Sequence, residues 1–475
     1  MTCLTKPPLR GALASIALAA AIASLMSACA SAPPAGPAPI TLPASFSEGS
    51  AATNAGAPRT DWWTAFADPT LDALEKRVVV SNADLARAMA QLRRARSDVD
   101  VQRAGAAPQV SADLAANRTH TSDDVVGHAL AGRTVDDHAA SVGASWEPDL
   151  FGRIANQVAA ARGEAEATAA DVASLQLALQ AEVAKDYLAM RSIADEQALL
   201  AQSLADQRDL LAIARHRLDD GTDSELEVAQ AQGEVESLQA RHDDLDAQRA
   251  TLRHALATLS GQPAASMSVP AAATPLLPPE VAPGLPSDLL RRRPDIAAAA
   301  ERVTVANARA GVARLAWFPT LVLSLAGGFE STAQNRLLSL PSRAWSLGPE
   351  LALPLFDGGR RQAVLAGAEA DVDAAAAAYR GKVIAAINDV EDQLATLSTL
   401  QQEEAHQVQA VRWSTRAAEI AGIRYQAGAD AYADLLLARQ ASLSSQRDEL
   451  LLKRRQLVAT VDLVRALGGG WTTTK

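Results

Sequence analysis

The chain repeats itself once, at a spacing of about 210 residues, a period far too long for a solenoid unit. "NADLARAMAQLRRARSDVDVQRAGAAPQVSADL" (82–114) aligns without a gap with "RPDIAAAAERVTVANARAGVARLAWFPTLVLSL" (293–325). Asp84 falls on Asp295, Arg103 on Arg314 and Pro108 on Pro319. Two further pairs follow in the same order: "PDLFGR" (148–153) with "LPLFDGGR" (353–360), and "RLDDGTD" (217–223) with "RYQAGAD" (424–430). Each half therefore carries the same plan, and whatever one half builds the other builds again.

In each half a helix closes at a proline, Pro108 or Pro319, because proline lacks a donor and disfavours helix before it. Alternation with period two follows. Val110, Ala112, Leu114 and Ala116 are set against Ser111, Asp113 and Ala115. Ala140, Val142, Ala144 and Trp146 are set against Ser141, Gly143, Ser145 and Glu147. The second half repeats this with Leu321, Leu323, Leu325 and Phe329, then with Trp345, Leu347, Leu351, Leu353 and Leu355. Four strands are predicted, at about 109–118, 138–150, 320–331 and 343–356. Their length and pattern suit a membrane barrel; the other reading, one face of a soluble sandwich, needs more strands per chain. Four strands cannot close a membrane barrel, whose smallest members have about eight, and open edges are not tolerated in lipid. The strands must enter a barrel shared between copies; strand counting alone allows two, three or four chains.

The rest reads as helix. An Ala/Leu/Gln/Glu-rich pattern without proline runs from Arg153 to Leu218, and 361–426 matches it. At 1.5 Å per residue such a helix is about 100 Å long, over three times the hydrocarbon thickness of a bilayer, and it is too charged to lie in one. Each long helix ends at a glycine suited to the left-handed C′ position, Gly221 or Gly428. A return helix follows within a few residues, at 225–260 and 432–467, with Asp223 or Ser224 as one cap and Asp430 as the other. Ser224 and Glu227 have capping-box spacing. The shorter helices are 82–107 and 294–317. One return helix stacked on one short helix nearly equals a long one, which implies a tall helical cylinder of continuous helices beside composite ones. The fold class is mostly α with membrane β. Helical hairpins are placed at 153–261 and 360–467, within a first repeat at 61–280 and a second at 281–475.

Residues 1–28 read as an export signal: Lys6 and Arg10, then an apolar run from Gly11 to Met26 too short for a comfortable span. Met26-Ser27-Ala28-Cys29 resembles a bacterial lipobox, which makes Cys29 a lipid-attachment site; the bland reading is an incidental cysteine in a cleaved signal. Several acyl chains on one residue give a lasting anchor. Ala30, rather than Asp, favours the outer membrane by resemblance to other lipoproteins. Residues 29–60 are a Pro/Ala/Ser/Gly-rich flexible linker. A formal net charge of −11 argues against a nucleic-acid partner.

"DWWTAFADPTLDAL", "PDLFGR", "GLPSDLLRRRPDI", "WSLGPELALPLFDGGRR" and "INDVEDQLATL" together resemble the TolC-like outer-membrane efflux factors, in their lipoprotein branch, over roughly residues 60–467. The resemblance implies a homotrimer with a 12-stranded barrel in outer-membrane lipid, a periplasmic α-barrel, and docking to a periplasmic adaptor and an inner-membrane pump. It implies a passive exit duct rather than an enzyme. It also puts the hairpin tips (Arg217, Gly221, Arg424, Gly428) at the adaptor; plain helix capping predicts the same cations there. In such channels acidic residues just past the second hairpin narrow the opening. In "GADAYADLLLARQ" that acid is Asp434, whose bland reading is a solvated first-turn residue. Leu437 stands where relatives often carry aspartate, and Glu225 and Glu227 of the first hairpin are the alternative constriction.

The rivals are a protein-secretion duct of the same fold, a structural coiled-coil lipoprotein, and an enzyme. The seven histidines show no HExxH or Cys/His metal spacing, and "FDGGRRQ" lacks the lysine and glycine spacing of a phosphate loop, so no cofactor or metal is expected. Gly358 and Gly359 are read as a strand-to-helix turn. Trp62 and Trp63 are placed in packing beside the Asp68–Pro69 helix start, with an interfacial belt as the alternative. Arg291, Arg292 and Arg293 are placed at a solvated helix end, with lipid phosphate as the alternative.

Overall fold

The structure, a computed structural model, describes residues 35–48, 59–124, 127–222, 224–270 and 277–471. Cys29, the signal segment and Asp223 lie outside the described residues. The main helices are α1 (Pro69–Ser81), α2 (Ala83–Ala104), α3 (Arg153–Asp219), α4 (Glu225–Leu259), α5 (Pro294–Leu315), α6 (Arg360–Gln426) and α7 (Tyr432–Ala466). The strands are β1 (Gln109–His120), β2 (Thr134–Trp146), β3 (Thr320–Ser331) and β4 (Arg343–Ala352). The two long helices have 67 residues each, and the two return helices 35 each. Helices α2 and α5 stop two or three residues short of the predicted ends because the backbone tightens into 3₁₀-type turns before Pro108 and Pro319. β2 starts earlier than predicted, at Thr134, to pair with the whole of β1. β2 and β4 both stop short, before Pro148 and Pro354, which cannot donate to a ladder.

The chain forms two compact units, and each takes segments from both sequence halves. The first holds Leu92–Thr168 and Ala299–Tyr379, and with them the whole sheet. Its helices approach closely through glycine: a Cβ on Gly163 would lie 2.9 Å from Cγ2 of Val305, and one on Gly311 2.7 Å from Oδ1 of Asn156. Gly358 and Gly359 both have positive φ in the turn from β4 to α6. Asp357 completes that turn by accepting from the Gly359 and Arg361 amides.

The second unit holds Pro39–Gln91, Ala169–Ala298 and the chain from Arg380 onward. Trp62 and Trp63 open a 3₁₀ turn and are 5% and 8% exposed, packed with Leu71, Leu74, Tyr187, Leu188, Leu256 and Val461. They belong to the core at the helix start and not to an interfacial belt. Asp68 caps α1, its Oδ1 accepting from the Thr70 amide at 2.8 Å, with Pro69 at the tolerated first position.

Three expectations need correction here. Arg293 is not solvated: it is buried, pairs with Asp295 at 2.8 Å and Asp389 at 3.1 Å, and donates to the Ala466 carbonyl at 3.1 Å. That carbonyl is one of the last of α7 and has no partner within its own helix, so the guanidinium closes the helix end. Only Arg291 keeps the solvated role. The linker is not free throughout, since Phe46 is buried and the Ser47 and Glu48 amides donate to the Glu391 carboxylate at 2.7 and 3.0 Å. The capping devices of the return helices also fail. Ser224 makes no side-chain cap bond, and Asp430 is held by Arg424 at 2.6 Å while Ala431 takes the N-cap position.

Candidate functional site

The sheet is an antiparallel meander in the order β1-β2-β3-β4. Register decides what each face presents. Val110 pairs with Ala144, Ala112 with Val142 and Leu114 with Ala140. Ala144 pairs on with Leu325 and Trp146 with Leu323; Leu325 pairs with Leu347 and Leu321 with Leu351. All the predicted apolar positions of β1–β3, and most of those in β4, therefore share one face. The other face carries Ser111, Asp113, Ser141, Gly143, Ser145, Ser324, Glu330, Gly348 and Glu350. Leu114 is 86% exposed and Leu347 72%, and no residue of the sheet is buried.

This arrangement excludes a soluble sandwich, because no second sheet covers the apolar face among the described residues. Among the described residues it also leaves the outer edges of β1 and β4 without a strand partner. A sheet apolar on one side, polar on the other and open at both edges is a segment of a barrel wall. Among the described residues no helix is long and apolar enough to cross a membrane.

The hairpin tips lie in the second unit. Gly221 and Gly428 have φ of +71° and +72°. In the first turn the Thr222 amide donates to the Arg217 carbonyl at 2.8 Å and the Gly221 amide to Leu218 at 2.9 Å; in the second the Ala429 amide donates to Arg424 at 2.9 Å and the Gly428 amide to Tyr425 at 3.0 Å. These are the paired bonds of a Schellman motif, so Arg217 and Arg424 occupy the same capping position in the two hairpins. Their side chains differ. The Arg217 guanidinium lies 4.8 Å from the ring centre of Tyr425, while Arg424 grips both oxygens of Asp430 and is further favoured in its charged form by Asp434.

The two hairpins share a core of Leu210, Leu211, Ala231, Val235, Tyr425, Tyr432 and Leu435. Tyr425 and Tyr432 meet edge to face at 5.8 Å, and Gln207 of α3 donates to the Tyr432 hydroxyl. Asp434 and Leu437 lie one turn apart at the start of α7, and both are exposed. Glu225 is exposed at the start of α4, and Glu227 is partly buried. The tyrosine pair and Gln207 were not singled out from the sequence. The signal available was the tyrosines' position on either side of the second hairpin turn.

The wall segment and the paired hairpins define a subunit of an outer-membrane channel with a periplasmic helical part. The chain belongs to the outer membrane efflux protein family, whose model matches residues 75–262 and 285–469. It is 33% identical over 416 residues to the outer membrane protein OprJ of Pseudomonas aeruginosa, covering 86% of each chain. It is 32% identical over 437 residues to the pyoverdine export outer membrane protein OpmQ of Pseudomonas putida, covering 91% of this chain and 93% of that one. The solved outer-membrane channel OprN superposes with a TM-score of 0.84 at 31% identity, over 92% of this chain and 99% of that chain. Channels of this family are trimeric and work with a periplasmic adaptor and an inner-membrane pump. Three copies of a four-stranded sheet give a 12-stranded barrel and remove every edge.

Proposed function

We propose that the chain is a passive exit duct for small molecules, lipidated at Cys29 and narrowed near its hairpin tips by Asp434 and Leu437. The two-faced, open-edged sheet carries this reading: its polar face becomes a lumen only when copies close the barrel. Asp113, Glu330 and Glu350 stand on that face and give the lumen a negative field that favours cations over anions. Pyoverdine export by a relative of near-complete coverage supports small-molecule cargo over polypeptide.

Asp434 and Leu437 suit a constriction because both are exposed in the single chain, and three-fold symmetry multiplies whatever they present. Glu225 and Glu227 form the corresponding entry of the other hairpin, and the tip residues Arg217, Gly221, Arg424 and Gly428 offer the surface to an adaptor. The test is reconstitution of the purified trimer in planar bilayers. Ohmic, cation-preferring conductance without any energy source is expected; strictly non-conducting or anion-selective trimers would overturn the reading.

A further inference from the structure

Halfway along α4, His242, Asp243 and Asp246 bring one imidazole nitrogen and two carboxylates together, every pair of donor atoms within 4.8 Å. Nδ1 of His242 is shut off from solvent and has no hydrogen-bond partner. It points between the carboxylates, 4.0 Å from Oδ1 of Asp243 and 4.0 Å from Oδ2 of Asp246. That distance is too long for a hydrogen bond.

Both carboxylates are already oriented. Gln197 of α3 donates to Oδ1 of Asp246 at 2.7 Å, which leaves Oδ2 turned to the imidazole. Gln239 donates to Oδ1 of Asp243 at 2.9 Å and is itself held by Arg208 of α3 at 3.2 Å. Amides that fix a carboxylate in this way are the usual outer support of a metal ligand.

We propose that His242, Asp243 and Asp246 form a binding site for a divalent transition-metal ion of the zinc type. One imidazole and two carboxylates suit such an ion better than Ca²⁺ or Mg²⁺, which take oxygen donors only. Donors at about 2.0–2.1 Å from a tetrahedral ion stand about 3.3 Å apart, so each carboxylate closes on the imidazole by about 0.7 Å and no donor pair closes by more than about 1.5 Å. The aspartates supply that shift at low cost, because their side chains are 66% and 63% exposed and the ion enters from the solvent side. Water completes the coordination. The bound ion joins successive turns of α4 and, through Gln197, fastens them to α3. The site is independent of conduction.

The test is calorimetric titration of the untagged, detergent-solubilised trimer with ZnCl₂ in excess Mg²⁺, beside His242→Ala and Asp246→Asn. One saturable Zn²⁺ per chain is expected, weakened about tenfold or more in each variant while trimer content and helical circular dichroism stay unchanged. Co²⁺ should show visible d–d absorption with wild type that His242→Ala abolishes. Absence of saturable Zn²⁺ binding, or equal affinity in wild type and both variants, would overturn the site.

Discussion

The Tyr187 hydroxyl donates to Oδ2 of Asp68 at 2.6 Å across 119 positions of sequence, and Arg191 donates to the same oxygen at 2.9 Å. Asp68 thus caps α1 with one oxygen and anchors α3 with the other, and the Arg191 and Asp68 side chains are 7% and 5% exposed. Breaking a buried pair by removing one partner costs about 3–5 kcal/mol, because the remaining charge is stranded. Asp68→Ala should destabilise the protein by about that much in denaturant titrations followed by tryptophan fluorescence. Tyr187→Phe, which removes one hydrogen bond, should cost about 1 kcal/mol. Equal losses in the two variants would contradict the assigned roles.

Glu75 is fully buried with neither carboxylate oxygen bonded, and burial, with a contribution from Asp72, pushes its pKa up from 4.5 to about 9. The folded chain keeps that proton where the unfolded chain releases it. Stability is therefore full below pH 4.5 and falls as pH rises towards about 9, by about 1.4 kcal/mol per unit. Glu75→Gln should flatten this slope and raise stability at pH 8 relative to wild type. A smaller slope should persist up to pH 6, because burial raises Asp186 to about 6 in the same sense. Denaturation midpoints at pH 5, 7 and 8 measure both effects.

If the carboxylate at the start of α7 narrows the duct, Asp434→Ala should raise single-channel conductance and weaken block by divalent cations. Three like charges near one axis hold cations or take up protons. Leu437→Ala should widen the opening and leave cation block unchanged. Unchanged conductance and block in both variants would move the constriction to Glu225 and Glu227.

Cys29→Ser should abolish incorporation of radiolabelled fatty acid and slow removal of the signal. Equal label on both proteins would sink the lipid-attachment assignment. Heat-labile trimers should still form, since the strands supply most of the membrane-embedded area.

The architecture was legible because its periods are long and repeated. Period-two alternation placed the strands, and Pro148 and Pro354 trimmed two of them where the alternation ran on. Gly221 and Gly428 marked the hairpin turns because positive φ leaves few other choices. The side-chain ties were hidden. Arg293 looked like one cation in a run of three, and only the return of α7 beside it turns it into a buried cap. Glu75 had a local signal: Leu71, Leu74 and Val78 share the buried face of α1, and position 75 lies on that face. The capping box failed at Ser224, which has the right spacing to Glu227 but makes no side-chain cap bond.

The unpaired edges of β1 and β4 make the barrel a genetic collective. No chain owns a complete wall, so one copy with a defective edge spoils the two sound copies it joins. A cell producing equal amounts of sound and edge-defective chain would assemble only about one intact channel in eight, if copies mix at random in the symmetric trimer. Defects at these edges should therefore be dominant, whereas loss of one gene copy should only halve the number of channels.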